Sequence, residues 1–198
     1  MKHYSQGAEQ THILEYFKGK ESGYFLDIGS YNPEIFSNVR ALYELGWSGI
    51  CVEPSNGCYP GLRDFYKGTG VEVYNCCIGN ETGIFPFWDS NGDALSSTDP
   101  AHIKKWSGPG YGAKFTETTK QFYTLEDLIE QSAYKSFNFV SIDVENDRLG
   151  IDILKQVNLY SVGMICLECS YDYRSEVKTY MSGWKEVYSN AENILLAR

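Results

Sequence analysis

Two acids, Asp27 and Glu53, each close a short apolar run, in "GYFLDIG" and "GWSGICVEPS". A carboxylate so placed can accept hydrogen bonds from two adjacent hydroxyls or pair with a cationic amino group. In an open sheet that alternates with helices, ligands sit beyond the carboxyl ends of the strands. Two acids one strand apart therefore address the same ligand, and an acid ending the second strand suits the 2′- and 3′-hydroxyls of a ribose.

The turn between them narrows the choice. A pyrophosphate calls for G-x-G-x-x-G and a helix start free of acids. "DIGSYNPEIF" has one glycine, an acid before it and Glu34 within the expected helix start. A ligand with a ribose and an amino group but no phosphate fits better, and S-adenosylmethionine has that chemistry. Three alternatives stay open. The chain could be a non-catalytic binding module that keeps the fold and the same ligand, which the intact Asp27/Glu53 pair argues against, or the acids could simply cap nearby backbone amides. A nicotinamide-dependent oxidoreductase is the third, disfavoured by the missing glycines.

The elements that would position these acids read as strands alternating with helices. "GYFLDIG" and "WSGICVEP" are buried strands. "YNPEIFSNVRALYELG" joins them as a helix, capped by Asn32, with Pro33 in its first turn and Phe36, Val39 and Tyr43 on one face. "CYPGLRDFYK" reads as a short helix and "GVEVYNCCIG" as a third strand. "FNFVSIDV" and "SVGMICLE" are further strands around the helix "DRLGIDILKQV". "YRSEVKTYMS" is helical, and "GWKEVYSNAENILLAR" closes as a hairpin around Ser189-Asn190. This alternation predicts a mostly parallel sheet with an antiparallel edge. Residues 80–123 interrupt it: "TGIFPFWDSNGD" is strand then turn, "ALSSTDPAHIKKWSGPGYGAK" a long polar loop, "KFTETTKQFYT" a strand and "LEDLIEQS" a short helix. A long insertion in such a sheet suits a substrate platform or lid.

Composition limits the partners. The chain has 198 residues, 42% hydrophobic and 15% aromatic, as one globular domain does. A net charge of −9 disfavours nucleic acid. The N-terminus lacks a signal-like apolar stretch, and no run approaches the ~18 apolar residues of a membrane span. Six cysteines include "CLEC", but strand positions three apart face opposite sides, so redox or zinc pairing is not expected. Buried thiols in a reducing cytoplasm are.

"GYFLDIGSYNPEIFSN", "GWSGICVEPS", "SIDVEN" and "AENILLAR" together resemble the FkbM-type methyltransferases, a branch of the class I S-adenosylmethionine-dependent fold, over nearly the whole chain from Ser5-Gln6 to Asn193. The resemblance implies an α/β, Rossmann-like domain over residues 1–198. Its seven-stranded, mostly parallel sheet would end in an antiparallel terminal hairpin and carry helices on both faces. The implied reaction is O-methylation of a sugar, glycan or natural-product hydroxyl. It places Asp27, Gly29 and Ser30 around the methionine end of the cofactor and Ser37-Asn38 at the start of the first helix. Glu53, with Pro54, takes the ribose, and Asp143 lies beside the methyl group. Gln6 covers the cofactor, and "LSSTD", with Ser96 and Ser97, enters the substrate side. One position departs from the family: Asn146 stands where glycine is usual, and asparagine is the best-tolerated substitute if that turn is left-handed.

A hydroxyl acceptor must lose its proton. His102 in the insertion is one candidate base, with an ordinary surface histidine as its alternative. Asp143, Glu145 and Glu168 are another source, since 143 and 145 share a face of "SIDVE" and a divalent cation, Mg²⁺ or Ca²⁺, held by Asp143 and Glu168 would lower the acceptor pKa. Lys104, Lys105 and Trp106 are candidates for holding an acidic or sugar acceptor.

Overall fold

The computed structural model describes residues 2–198. Its first part contains α1 (Glu9–Tyr16), β1 (Tyr24–Ile28), α2 (Arg40–Glu44), β2 (Ser48–Val52), α3 (Tyr59–Tyr66) and β3 (Val71–Tyr74). An inserted region follows, with β4 (Cys77–Ile78), β5 (Gly83–Asp89), α4 (Pro100–Ser107), β6 (Thr116–Tyr123) and α5 (Leu125–Gln131). The last part contains β7 (Phe139–Ile142), α6 (Asp147–Val157), β8 (Met164–Glu168), a 3₁₀ turn, α7 (Arg174–Tyr180), β9 (Lys185–Ser189) and β10 (Asn193–Ala197).

Seven strands form one sheet in the order β3-β2-β1-β7-β8-β10-β9. The pairs from β3 to β8 are parallel, and β10 runs antiparallel between β8 and β9. The architecture is thus α/β with a mostly parallel sheet, as the alternation of apolar runs predicts. Strands buried on both faces read as continuous apolar runs, and their side chains alternate between two layers. Phe25 and Cys51 pack with Ile13, Leu42, Leu62 and Phe139. Leu26, Ile28, Ile50 and Val52 pack with Leu128, Ile151 and Leu154 on the other face. Cys166 and Cys169 fall in opposite layers, and all six cysteines are buried free thiols.

Four local expectations are corrected. The segment after β1 is an irregular loop up to Val39, because Tyr31 (φ +48°) and Phe36 (φ +59°) are left-handed and interrupt any helix. Asn32 caps only a turn, accepting from the amides of Glu34 and Ile35 at 2.9 and 3.1 Å, and Phe36 is half exposed instead of buried. The helix starts at Arg40, whose amide donates to Ser37 Oγ at 3.1 Å. "GVEVYNCCIG" is two strands, since Asn75 turns the chain and Cys77–Ile78 leave the main sheet. The insertion is a second sheet, β4-β6-β5, and its long polar loop contains α4. Pro100 opens that helix behind the Asp99 cap, whose side chain accepts from the Ala101 amide at 2.8 Å. Finally, "SIDVE" is strand only to Ile142: Glu145 is left-handed (φ +52°), while Asn146 is extended (φ −155°).

Asn146 thus serves as the N-cap of α6, its Oδ1 accepting from the Leu149 amide at 3.1 Å. Asn146→Ala is expected to cost about 1 kcal/mol and lower the melting temperature by about 2–4 °C. Scanning calorimetry checks this, and an unchanged melting point would remove the cap from the account.

Candidate active site

Four adjacent parallel strands end in register: Ile28 pairs with Val52 and with Ile142, which pairs with Leu167. The next residue on each strand forms one row across the sheet edge, namely Glu53, Gly29, Asp143 and Glu168. Gly29 must be glycine, because at φ +85° a Cβ would overlap the Asp143 carbonyl. The row floors a cavity of about 430 Å³, within the range of small-ligand sites. Gln6, Pro54, Ser96, His102, Lys105, Trp106 and Glu145 also line it.

Glu53 is 5% exposed and held in place by two amides: Oε2 accepts from Tyr31 N at 2.8 Å and Oε1 from Ser55 N at 2.6 Å. Each oxygen keeps a second lone pair for a ligand. Burial lifts its pKa to about 7, against the pull of those two amides. Amide capping and cavity lining thus coexist in Glu53. Asp27 differs. It shares the α2 face of β1 with Phe25, is buried, and does not line the cavity. Burial raises it too to about 7, and Asp143 adds to the rise.

Ser30, Ser37 and Asn38 lie behind the wall. Ser30 Oγ donates to Asp27 O at 3.0 Å, and Asn38 Nδ2 donates to Ser141 Oγ at 3.2 Å. Ser5 Oγ donates to Asn38 Oδ1 at 2.8 Å, which ties down the segment that brings Gln6 over the cavity.

One carboxylate oxygen each from Asp143, Glu145 and Glu168 lie within 4.8 Å of one another. The left-handed turn at Glu145, not strand alternation, brings the three together. All three have raised pKa values; burial is the first cause in each, and Glu145 reaches about 8 with Asp143 adding to it. His102 Nε2 lies 3.1 Å from Leu95 O, a carbonyl that can only accept, so this nitrogen carries the proton. Nδ1 is left bare, facing Glu145 Oε2 at 3.5 Å. Burial lowers the His102 pKa, so the ring stays neutral at pH 7.

The insertion holds this corner. Ser97, 1% exposed, donates to the Glu145 carbonyl at 2.7 Å and so braces the turn instead of meeting a substrate. Asn146 Nδ2 donates to Thr98 Oγ1 at 2.9 Å. Both residues also line a second, more open groove of about 310 Å³, so their bond stands between the two spaces. Ser96 lines the cavity and hydrogen-bonds Ser90 Oγ at 2.8 Å. Lys104 is exposed and off the wall; Lys105 lines it, with its ammonium 4.9 Å from the Trp106 ring centroid.

Sequence reasoning missed Tyr31 and Phe36, whose stacked rings line the wall, and Asp93, Cys76, Cys77 and Glu192, which also line it. Glu192 had a signal, since it precedes the antiparallel strand that sits beside β8; left-handed aromatic residues give none. The sequence profile of the methyltransferase FkbM domain matches residues 27–182. No curated protein matches the chain.

Proposed function

The chain belongs to the FkbM methyltransferase family, and from that premise we propose that it is a class I, Rossmann-like, S-adenosylmethionine-dependent O-methyltransferase acting on a hydroxyl of a sugar, glycan or small natural product. The whole chain would serve as one catalytic domain, with residues 80–123 on the acceptor side. The observation that carries the cofactor reading is the Glu53 carboxylate, fixed by two amides with its remaining lone pairs available at the cavity.

The first turn supports a ribose ligand without phosphate. Its amides are already used: Gly29 N and Ser30 N donate to Val52 O at 2.9 and 3.1 Å, and Tyr31 N to Glu53. These three N–H groups are not left to cradle a pyrophosphate, which speaks against a nicotinamide dinucleotide. The wall carries Glu53, Asp93, Asp143, Glu145, Asp147, Glu168 and Glu192 against the one lysine, Lys105, which favours a cationic cofactor.

S-adenosylmethionine would supply an electrophilic methyl group on a sulfonium. The protein's own work is to align an acceptor oxygen with it and exclude water, which can account for much of the rate. Ser96, Lys105 and Trp106 would hold the acceptor, and Nδ1 of His102, whose ring is oriented by the Leu95 carbonyl at Nε2, would accept its proton within the same wall.

 A second reading concerns the three clustered carboxylates: Asp143, Glu145 and Glu168 offer the all-oxygen donor set that Mg²⁺ or Ca²⁺ prefers. A cation there would lower the pKa of the acceptor hydroxyl. No helix among the described residues is long and apolar enough to cross a membrane, and six buried free thiols suit work in the cytoplasm.

Calorimetric titration of the protein with S-adenosylmethionine and, separately, NAD tests the reading. Micromolar binding of the first alone is expected. Binding of NAD alone would replace the methyltransferase with an oxidoreductase, and binding of both without turnover on any acceptor would favour a binding module.

A further inference from the structure

We propose that Lys120, on a strand of the inserted sheet and outside the cavity wall, positions Glu53 for the cofactor; the proposal rests on the S-adenosylmethionine reading above. Lys120 is 7% exposed. Its Nζ donates to Asn56 Oδ1 at 2.6 Å and to Asn75 Oδ1 at 3.0 Å. Both asparagines belong to the turns around Glu53. Asn75 Nδ2 donates in turn to the carbonyls of Glu53 and Pro54, at 2.9 and 3.1 Å.

The neighbouring strand grips the same turn. Asp89, at the end of β5, accepts from Ser55 Oγ at 2.6 Å and from Asn56 N at 2.8 Å. The segment from Glu53 to Asn56 is therefore held from β5 and β6 together, while Glu53 lines the cavity.

A buried ammonium is a costly way to join two neutral amides. Its charge has a second use, because a cation near Glu53 favours the ionised carboxylate that accepts from ribose hydroxyls. The other titratable groups facing Glu53 do not help. Asp27 from β1 and Asp89 from β5 oppose its ionisation, and the thiols of Cys51, Cys58 and Cys77 are held neutral by burial. Lys120 approaches from β6 with the opposite sign; burial lowers its pKa, and Asp89, Cys77, Glu53 and Cys76 act against that fall.

The test is titration with S-adenosylmethionine of wild type, Lys120→Met and Lys120→Gln across neutral pH, with the melting temperature of each recorded. Lys120→Met is expected to weaken binding above pH 7 by about 10-fold, through the loosened turn. Both variants are expected to move the acid limb of the affinity profile upward by about half a pH unit, because each removes the charge. Lys120→Gln keeps a donor for one asparagine and so should retain more of the affinity. A residue that only fills space would leave both affinity and limb at wild-type values in both variants, and that result overturns the proposal. If Lys120→Met does not fold, the limb position of Lys120→Gln decides alone. Wild type that binds no S-adenosylmethionine would sink the cofactor reading, and this inference with it; wild-type binding with unshifted variants would sink the inference only.

Discussion

Glu53→Ala is expected to weaken S-adenosylmethionine binding by at least about 100-fold. On the proposed reading Glu53 accepts two hydrogen bonds from ribose hydroxyls, each worth about 1.5–3 kcal/mol to a charged group, and alanine removes both. The same change frees the amides of Tyr31 and Ser55, which Glu53 now holds at 2.8 and 2.6 Å, so the turn around the ligand loosens as well. The affinity should also depend on pH. Burial places the Glu53 pKa at about 7 in the free protein, so protonation competes with the ligand below that value and binding weakens as the medium is acidified. Calorimetry on the wild type and the variant decides. A variant within about 3-fold of wild type would show that the ribose rests elsewhere.

The second large effect is on stability. The ligand-free protein should melt lower at pH 8 than at pH 5, by about 6–12 °C. Asp27, Glu53 and Glu145 have folded pKa values of about 7, 7 and 8, all raised from ordinary carboxylate values first by burial. An acid with a raised folded pKa contributes stability that is complete below its unfolded pKa and is lost as pH rises through the folded one. The loss therefore falls between about pH 4 and pH 8. A combined loss of about 3 kcal/mol is a conservative share of shifts this size. His102 acts in the opposite sense, because its lowered pKa makes it less stabilising as pH falls through its unfolded value of about 6.5, but it is one group against three. Carboxylates lowered by partners, such as Glu44 beside Tyr4 and Asp152 beside Asn80 and Lys155, lose their contribution only in more acidic solution. Melting curves across the range test this, and a melting point that is flat or rises toward pH 8 would sink it. Repeating the series in MgCl₂ and in CaCl₂ against matched ionic strength of NaCl tests the divalent site: recovery at pH 8 in either divalent salt but not in NaCl supports a cation among Asp143, Glu145 and Glu168, and equal curves in all three exclude it.

The central sheet was legible because its strands are covered on both faces. Burial of Phe25, Leu26 and Ile28 on one strand and Ile50 to Val52 on the next requires continuous apolar sequence, which is readable without a structure. The amphipathic α6 and the terminal hairpin were legible for similar reasons. The loop after β1 was not, since the left-handed Tyr31 and Phe36 follow from tertiary packing and not from local preference. The second sheet escaped because its strands are partly exposed and pair with each other across the α4 segment. In the site, Glu53 could be inferred from its place at a strand end, as could the meeting of Asp143 with Glu168. The reason Glu145 joins them could not, because it depends on a turn braced by Ser97 from the insertion. Lys120 gave no signal: it is the one lysine of β6, and the alternation of a half-polar strand does not by itself reveal which of its faces is buried.

The pairing of β1 has a consequence for how the molecule comes into being. On one side β1 bonds to β2, close by in the chain; on the other it bonds to β7, which lies beyond the whole inserted sheet. The near pairing closes a short loop, whereas the far one must wait for a long excursion of chain to return, a step that slows folding. Glu53 and Gly29 can therefore come together early, and Asp143 and Glu168 arrive only with the late closure. A molecule caught between the two events would own half a cavity and no means of catalysis.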